Sequence, residues 1–183
     1  MCRILQLLLF VLLVGCTTVS QEQQAKSEPI LAPETFFVGK LSAYGVLKDW
    51  RGRQSRYFEA DIDACWEAGV GTLKERFVFD DGELQQRVWQ LVSEGEGIYR
   101  ASANDVVGTT LLRAVGNTLQ MQYDLEIPWD DSTLILTVDD TMFLVTDHVL
   151  INTSTMSKLG VPVGEIVLTI MRHPEELDPC QLG

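Results

Sequence analysis

The stretch 57–66 constrains the fold more than any other part of the chain. Phe58, Ala60, Ile62, Ala64 and Trp66 alternate with Tyr57, Glu59, Asp61, Asp63 and Cys65. A period of two places the first set on one face and the second on the other, so the segment reads as a half-buried strand. Its acids face water, and Cys65 shares their face. The same period recurs along the chain. Gly39, Leu41, Ala43, Gly45 and Leu47 alternate with Lys40, Ser42, Tyr44 and Val46, and the turn 49–52 follows. Strands are expected over 72–80 and 84–93, joined at Asp81-Gly82, a strong hairpin signal. Residues 98–103 are strand-like, Asn104-Asp105 interrupts them, and 106–114 resumes. Leu119, Met121, Tyr123, Leu125 and Ile127 form another clean alternation. Segments 134–138 and 142–145 flank Asp139-Asp140, and 149–151 and 164–171 complete the set. Residues 154–160 read as a short helix or a structured loop.

No long segment has the 3.6-residue period of a helix, and no internal repeat is evident. Roughly nine or ten strands joined by short turns favour an all-β fold, an antiparallel up-and-down β-barrel, with a β-sandwich as the alternative. Closure into a barrel removes the exposed sheet edges.

The amino terminus addresses the chain to a membrane. Arg3 precedes an apolar run from Ile4 to Val14 broken only by Gln6, and Leu13-Val14-Gly15-Cys16 ends it. A basic start, a short apolar core and a small-residue cleavage site mark an export signal. The run falls short of the roughly 20 apolar residues of a spanning helix. The Leu-Val-Gly-Cys sequence resembles the lipobox of bacterial lipoproteins. That resemblance implies cleavage before Cys16, a diacylglycerol thioether on its sulfur and N-acylation, commonly with palmitate. Two or three acyl chains make a stable anchor where one is marginal. Thr17 follows the cysteine, where an aspartate commonly means retention in the inner membrane, so the expected place is the outer membrane, facing the periplasm. The domain plan is then a signal peptide over 1–15, a lipidated cysteine and polar tether over 16–33, a barrel over 34–172 and a tail over 173–183.

Charge narrows the partners. The chain carries a formal −12, and loss of Arg3 with the signal makes the mature sum −13. Nucleic acid selects basic faces, and so does anionic lipid, so neither is an expected electrostatic partner. Membrane attachment is assigned to Cys16 alone. With Cys2 removed and Cys16 acylated, Cys65 and Cys180 remain. The periplasm permits a disulfide between them, but spacing alone does not show that they meet. There is no Cys-x-x-Cys and only two histidines, His148 and His173, so neither metal nor cofactor is expected.

Further motifs carry a family resemblance. FFVGKLSAYGVLKDWRGR from Phe36, GTLKERFVFDDGELQQRVW from Gly71, ANDVVG from Ala103, GNTLQMQYDLEIP from Gly116, DDTMFLV from Asp139 and KLGVPVGEIVLTI from Lys158 resemble a bacterial lipoprotein family, domain of unknown function (DUF) 3833. The resemblance implies a lipocalin-like barrel. It also implies a lipid-related role, since members are often encoded near enzymes that modify membrane fatty acids. Where the family has an aromatic-rich Asp-Asp-Trp-Met-Tyr-Leu, this chain has Asp139-Asp140-Thr141-Met142-Phe143-Leu144, without the tryptophan.

The strongest chemical candidate is the hairpin around Asp81-Gly82. Glu75, Phe77 and Phe79 share one strand face; Gln85, Arg87, Trp89 and Leu91 share another. A three-residue loop aligns the two sets, and a two-residue loop does not. Aligned, Glu75 and Arg87 form a semi-buried ion pair among aromatics. It would be either a handle for a carboxylate or phosphate head group inside a cavity, or a salt bridge that holds the register. Asn104-Asp105 and Asp139-Asp140 are the next candidates, as acid–base or calcium-binding carboxylates, or as ordinary residues of turns and bulges. Phe58, Trp66, Phe77, Phe79, Trp89, Tyr123 and Phe143 are expected to line the barrel, with Ala43, Gly45, Ala60, Ala64, Ala101 and Ala103 leaving room for a ligand. Gly-x-Ser-x-Gly and the phosphate-binding Gly-x-x-x-x-Gly-Lys are absent, and both histidines read as solvated. The functional expectation is a binding module for a fatty acid or other amphiphile. A filled-core envelope scaffold with a protein partner is the alternative, and a lipid-modifying enzyme using Glu75, Asp105 or Asp139 a second one.

Overall fold

A computed structural model describes residues 25–129, 131–175 and 180. A short helix, α1 (Pro33–Phe36), precedes ten strands: β1 (Gly39–Asp49), β2 (Gln54–Glu67), β3 (Val70–Phe79), β4 (Leu84–Gly95), β5 (Ile98–Ala103), β6 (Thr110–Val115), β7 (Thr118–Trp129), β8 (Ser132–Thr146), β9 (Val149–Lys158) and β10 (Val161–His173). Each strand pairs antiparallel with the next, and β1 pairs with β10 to close the barrel. The fold is an up-and-down barrel and not a sandwich.

Closure needs curvature, and the sequence provides it in two ways. Register shifts at Leu47/Lys48, Ser93/Gly95, Leu144/Thr146 and Pro162/Gly164 bend individual strands. Pro162 lies at one of them, where a missing N–H does least harm. Glycines also admit close packing. A Cβ on Gly45 would stand 2.4 Å from Phe58 Cζ, and one on Gly71 would stand 2.6 Å from Trp66 Cζ2. Each aromatic ring covers its cross-strand glycine, fixing register as well as volume.

The inner face follows the alternation read from the sequence. Leu41, Ala43, Phe58, Ala60, Ile62, Ala64, Leu73, Trp89, Leu119 and Val138 form one buried cluster. Phe143 departs from expectation: it pairs with Ile151 on the outer face and is exposed. Segment 154–160 is neither helix nor loop. It is the second half of β9 and the turn after it. Asp139-Asp140 does not break a strand either, because both lie inside the continuous 15-residue β8.

One barrel end is plugged. Leu31, Pro33, Phe36 and Phe37 are buried against the core. The Leu31 N–H donates to Gly116 O at 2.8 Å, the Trp66 indole donates to Phe37 O at 3.0 Å, and Tyr99 OH donates to Glu34 Oε2 at 2.6 Å. The tether expected over 16–33 therefore ends sooner, since its last residues belong to the barrel. Cys65 on the outer face of β2 is disulfide-bonded to Cys180, with Cα atoms 5.5 Å apart, so the tail expected over 173–183 is fastened. His173 is the last residue of β10, and its Nε2 lies 2.8 Å from Ser42 Oγ across the closing seam. Cys16 and the signal lie outside the described residues.

Candidate functional site

The β3–β4 hairpin positions the first groups. Its loop is the three-residue kind: Phe79 N–H donates to Glu83 O, and Gly82 holds φ +84° between them. Glu75 consequently stands directly opposite Arg87, Phe77 opposite Gln85 and Leu73 opposite Trp89. The expected alignment holds; the expected ion pair does not. The Arg87 guanidinium turns to Asp105 instead. Nε donates to both carboxylate oxygens at 2.9 and 2.8 Å, and an NH2 nitrogen lies 2.8 Å from Oδ2.

The β5–β6 connection makes this possible. Asn104 continues the sheet past the end of β5, accepting the Val88 N–H on Oδ1 at 2.7 Å and donating to Gln86 O at 3.3 Å. Asp105 O accepts the Glu126 N–H, Val107 N–H donates to Asp124 O, and Val106 packs against the core. The connection is thereby laid between β4 and β7, with the Asp105 carboxylate directed inward.

Across the barrel, β7, β8 and β9 complete a polar belt. Tyr123, Asp140, Asn152 and Ser154 are all buried. Asp140 Oδ1 accepts from Asn152 Nδ2 and from Ser154 Oγ, the latter at 2.8 Å. Trp89 meets the Tyr123 ring edge-on at 5.4 Å. Arg87 lies 5.7 Å from the Phe77 ring centre and 5.9 Å from that of Trp89, within cation–π range. Phe58, Phe77 and Phe79 pack together between this belt and the open end, with centroids 5.4 to 6.4 Å apart. Arg56 lies over Phe79 at 3.9 Å and is held by Asp81 and Glu83.

The electrostatics are those of charge confined in an apolar shell. Burial pushes the Glu75 carboxyl up to about 7; Arg87 opposes the shift, and Asp105 and Asp140 add to it. Burial also raises Asp140 against the hydrogen bonds of Asn152 and Ser154, and raises the Tyr123 phenol, with Asp140 adding. Desolvation works against the Arg87 charge, but Glu75, Tyr123 and Asp105 outweigh it and hold the group protonated. Neither the Glu75 carboxyl nor the Tyr123 hydroxyl hydrogen-bonds to a described residue, and neither is sealed from solvent, unlike the unpaired Nε of Arg56. Arg87 is taken and Asp140 is satisfied, so within the belt Glu75 and Tyr123 are the groups with no hydrogen bond to a described residue.

The barrel thus brings together Glu75, Phe77, Arg87, Trp89, Asp105, Tyr123 and Asp140, with Phe79 nearer the mouth. Asp139 does not belong: one step along β8 turns it outward, where it accepts from Gln122 Nε2 at 2.5 Å. Asn152 and Ser154 escaped the sequence reading. Their signal is phase, since they follow Leu150 at intervals of two; a search for apolar alternation passes over them. Arg56, two residues before Phe58, was hidden in the same way. A cleft of about 600 Å3 reaches Phe58 and Phe79 from the side. It runs along β10, β1, β2 and β3 between Tyr44, Tyr57 and Val78, and none of the belt residues lines it.

A family model described as "Protein of unknown function (DUF3833)" matches residues 10–172. No curated protein matches the sequence. Among solved structures, an S-type phycobiliprotein lyase, CPES, from Guillardia theta superposes with a TM-score of 0.59 at 12% identity, covering 85% of this chain and 98% of its own. A protein of unknown function from the DUF3598 family, from Nostoc punctiforme, superposes with a TM-score of 0.58 at 13% identity over 80% of this chain. That match takes in about half of the Nostoc chain, 51%. At such identities the likeness is one of fold.

Proposed function

This chain belongs to the DUF3833 family, and we propose that it is a lipid-anchored envelope protein whose barrel takes up one amphiphilic molecule. The observation that carries the reading is Glu75: a carboxyl inside the barrel, unbonded, beside an unbonded Tyr123 hydroxyl. Both groups are unbonded yet not sealed off, so a polar group entering the barrel can reach them, and holding a carboxyl in so apolar a shell costs stability that a ligand contact would offset. The head group would meet Glu75 and Tyr123, and the apolar part would lie among Phe58, Phe77 and Phe79. Since Asp105 already occupies Arg87, the fitting head group is a hydroxyl, amide or amine; a fatty acid would have to displace Asp105. Shared fold with a phycobiliprotein lyase supports a barrel given over to a small molecule. Acylated Cys16 would hold it on the periplasmic face of the outer membrane.

Native mass spectrometry of the protein extracted from its own host's envelope tests this. A discrete co-purifying mass that organic solvent removes is the expected result. Long-chain alcohols or monoacylglycerols should then raise the melting temperature more than the matching fatty acid does. An apo mass under conditions that keep lipid complexes intact, with no thermal shift across the panel, would sink the proposal.

One observation favours a second reading. A carboxyl with a pKa of about 7 can give or take a proton at neutral pH. If the bound amphiphile is turned over, Glu75→Gln should abolish turnover while leaving binding intact.

A further inference from the structure

The two ends of the barrel differ in what they show to solvent. In an up-and-down barrel alternate connections lie at opposite ends. At the plugged end the turns are Ala68-Gly69, Glu96-Gly97, Gly116-Asn117 and Asp147-His148, with no large apolar side chain in them; beside them only Val115, 37% exposed, shows one, and Ile30, 69% exposed, precedes the plug. At the open end, every connection carries an exposed one in it or directly beside it. Trp50 is 67% exposed, Leu84 74%, Val107 47%, Trp129 58% and Leu159 93%. Leu159 also holds a positive φ of 51°, a conformation that favours glycine or asparagine in a turn. A leucine there serves neither the turn nor the core.

The arrangement is a ring of tips around the mouth and not one contiguous patch. A flat, deformable apolar layer can receive five separated tips at once; a peptide or a rigid protein face meets only some of them. Charges at this end are largely paired among themselves, Asp49 with Arg53 and Arg56 with Asp81 and Glu83. Arg51 lies over the Trp50 ring. Tryptophan at the boundary of water and hydrocarbon is the usual membrane-interface side chain. The chain preceding Ala25 is long enough to permit this contact. The nine residue steps from Cys16 to Ala25 can extend roughly 30 Å, comparable to the height of a barrel whose strands are tilted by about 40°.

We propose that Trp50, Leu84, Val107, Trp129 and Leu159 form a bilayer-docking face that seats the mouth of the barrel in the interfacial layer of a membrane. Docking is apolar, because a chain of formal charge −12 is repelled by anionic lipid. The proposal draws on the Cys16 anchor for proximity, and the intact mass of the protein reports that anchor separately.

The test is tryptophan quenching. The mature protein is incubated with phosphatidylcholine vesicles whose acyl chains are brominated close to the head group. Two of the four tryptophans ring the mouth, and the other two, Trp66 and Trp89, lie inside, so roughly half of the emission should be quenched. Trp50→Phe with Trp129→Phe should leave the remaining emission unquenched. Leu84→Asn with Leu159→Asn, both largely exposed positions outside the core, should reduce quenching of the native tryptophans by at least about fivefold. Replacing half of the lipid by phosphatidylglycerol should not strengthen it. Unquenched emission, whether or not Cys16 is acylated, overturns the proposal. So does a dimer in solution that shields Trp50 and Trp129, which would give the ring to a second copy of the chain.

Discussion

Inside a barrel, a carboxyl without a partner is easier to hold protonated than charged, and Glu75 is such a group. An acid whose folded pKa is about 7 against an ordinary 4.5 binds more protons folded than unfolded between those values. Its contribution to stability is therefore fullest at low pH and is lost as pH rises through about 7. The penalty at pH 8 is on the order of 3 kcal/mol. Glu75→Gln should remove most of it: in denaturant titrations the variant should match the native protein near pH 5 and exceed it at pH 8. Equal stability at both pH values would mean that Glu75 is already solvated. The Arg87–Asp105 pair behaves in the opposite sense, because each charge needs the other. Asp105→Asn strands a guanidinium among Phe77 and Trp89, and should cost about 2–3 kcal/mol, just below the range for fully buried pairs, since both partners keep some exposure. Adding Arg87→Met to that variant should recover part of the loss. If the double variant is the least stable of the set, the pair is more than mutual neutralisation.

At the scale of the element, the hairpin and the connection explain what sequence could and could not reveal. Phe77, Phe79, Arg87 and Trp89 announce their faces because a strand's period is fixed, whereas the loop length that aligns the two sets stays open until the structure places Gly82 in a three-residue turn. The same period predicts nine or ten strands, and the pairing of β1 with β10 decides for a barrel over a sandwich. The partner of Arg87 was not legible, because Asp105 arrives by way of a connection whose course depends on Asn104 bonding to β4. The misread half of β9 has a similar cause: its inward positions Asn152 and Ser154 are polar and its outward Ile151 is apolar, so the usual contrast is reversed over those residues. The Asn104 contact makes a prediction of its own. Asn104→Ala leaves the Val88 N–H and Gln86 O without their partner, at a cost of about 1–2 kcal/mol. Hydrogen exchange should show the Val88 amide opening much faster than amides paired within β3 and β4. An unchanged rate at Val88 would mean that solvent or another group replaces the asparagine.

Across the whole molecule, the fixed end and the proposed working end are separate. At the plugged end the chain is tied down from both directions. Leu31 and α1 enter from the amino-terminal side, Trp66 bonds to Phe37 O, and the neighbouring Cys65 holds the carboxy-terminal segment through Cys180. The polar belt lies above this plug, the aromatic trio above the belt, and the apolar tips at the mouth. On the proposed reading, a molecule entering from the mouth would meet apolar walls first and Glu75 last, and the plug would keep it from passing through. On this plan the plug carries stability and the mouth does not. Leu31, 2% exposed, should cost about 2–4 kcal/mol when cut to alanine. Reduction of a bridge spanning 115 residues should cost up to about 4–5 kcal/mol on the chain-entropy view. Leu159→Asn, by contrast, should leave the thermal midpoint within a degree or two, or raise it, since asparagine suits the positive φ better. Calorimetry of the three forms separates these roles. A large loss from Leu159→Asn would show that the tips hold the barrel together; a loss confined to the plug and the bridge would leave the mouth free for the proposed ligand and membrane contacts.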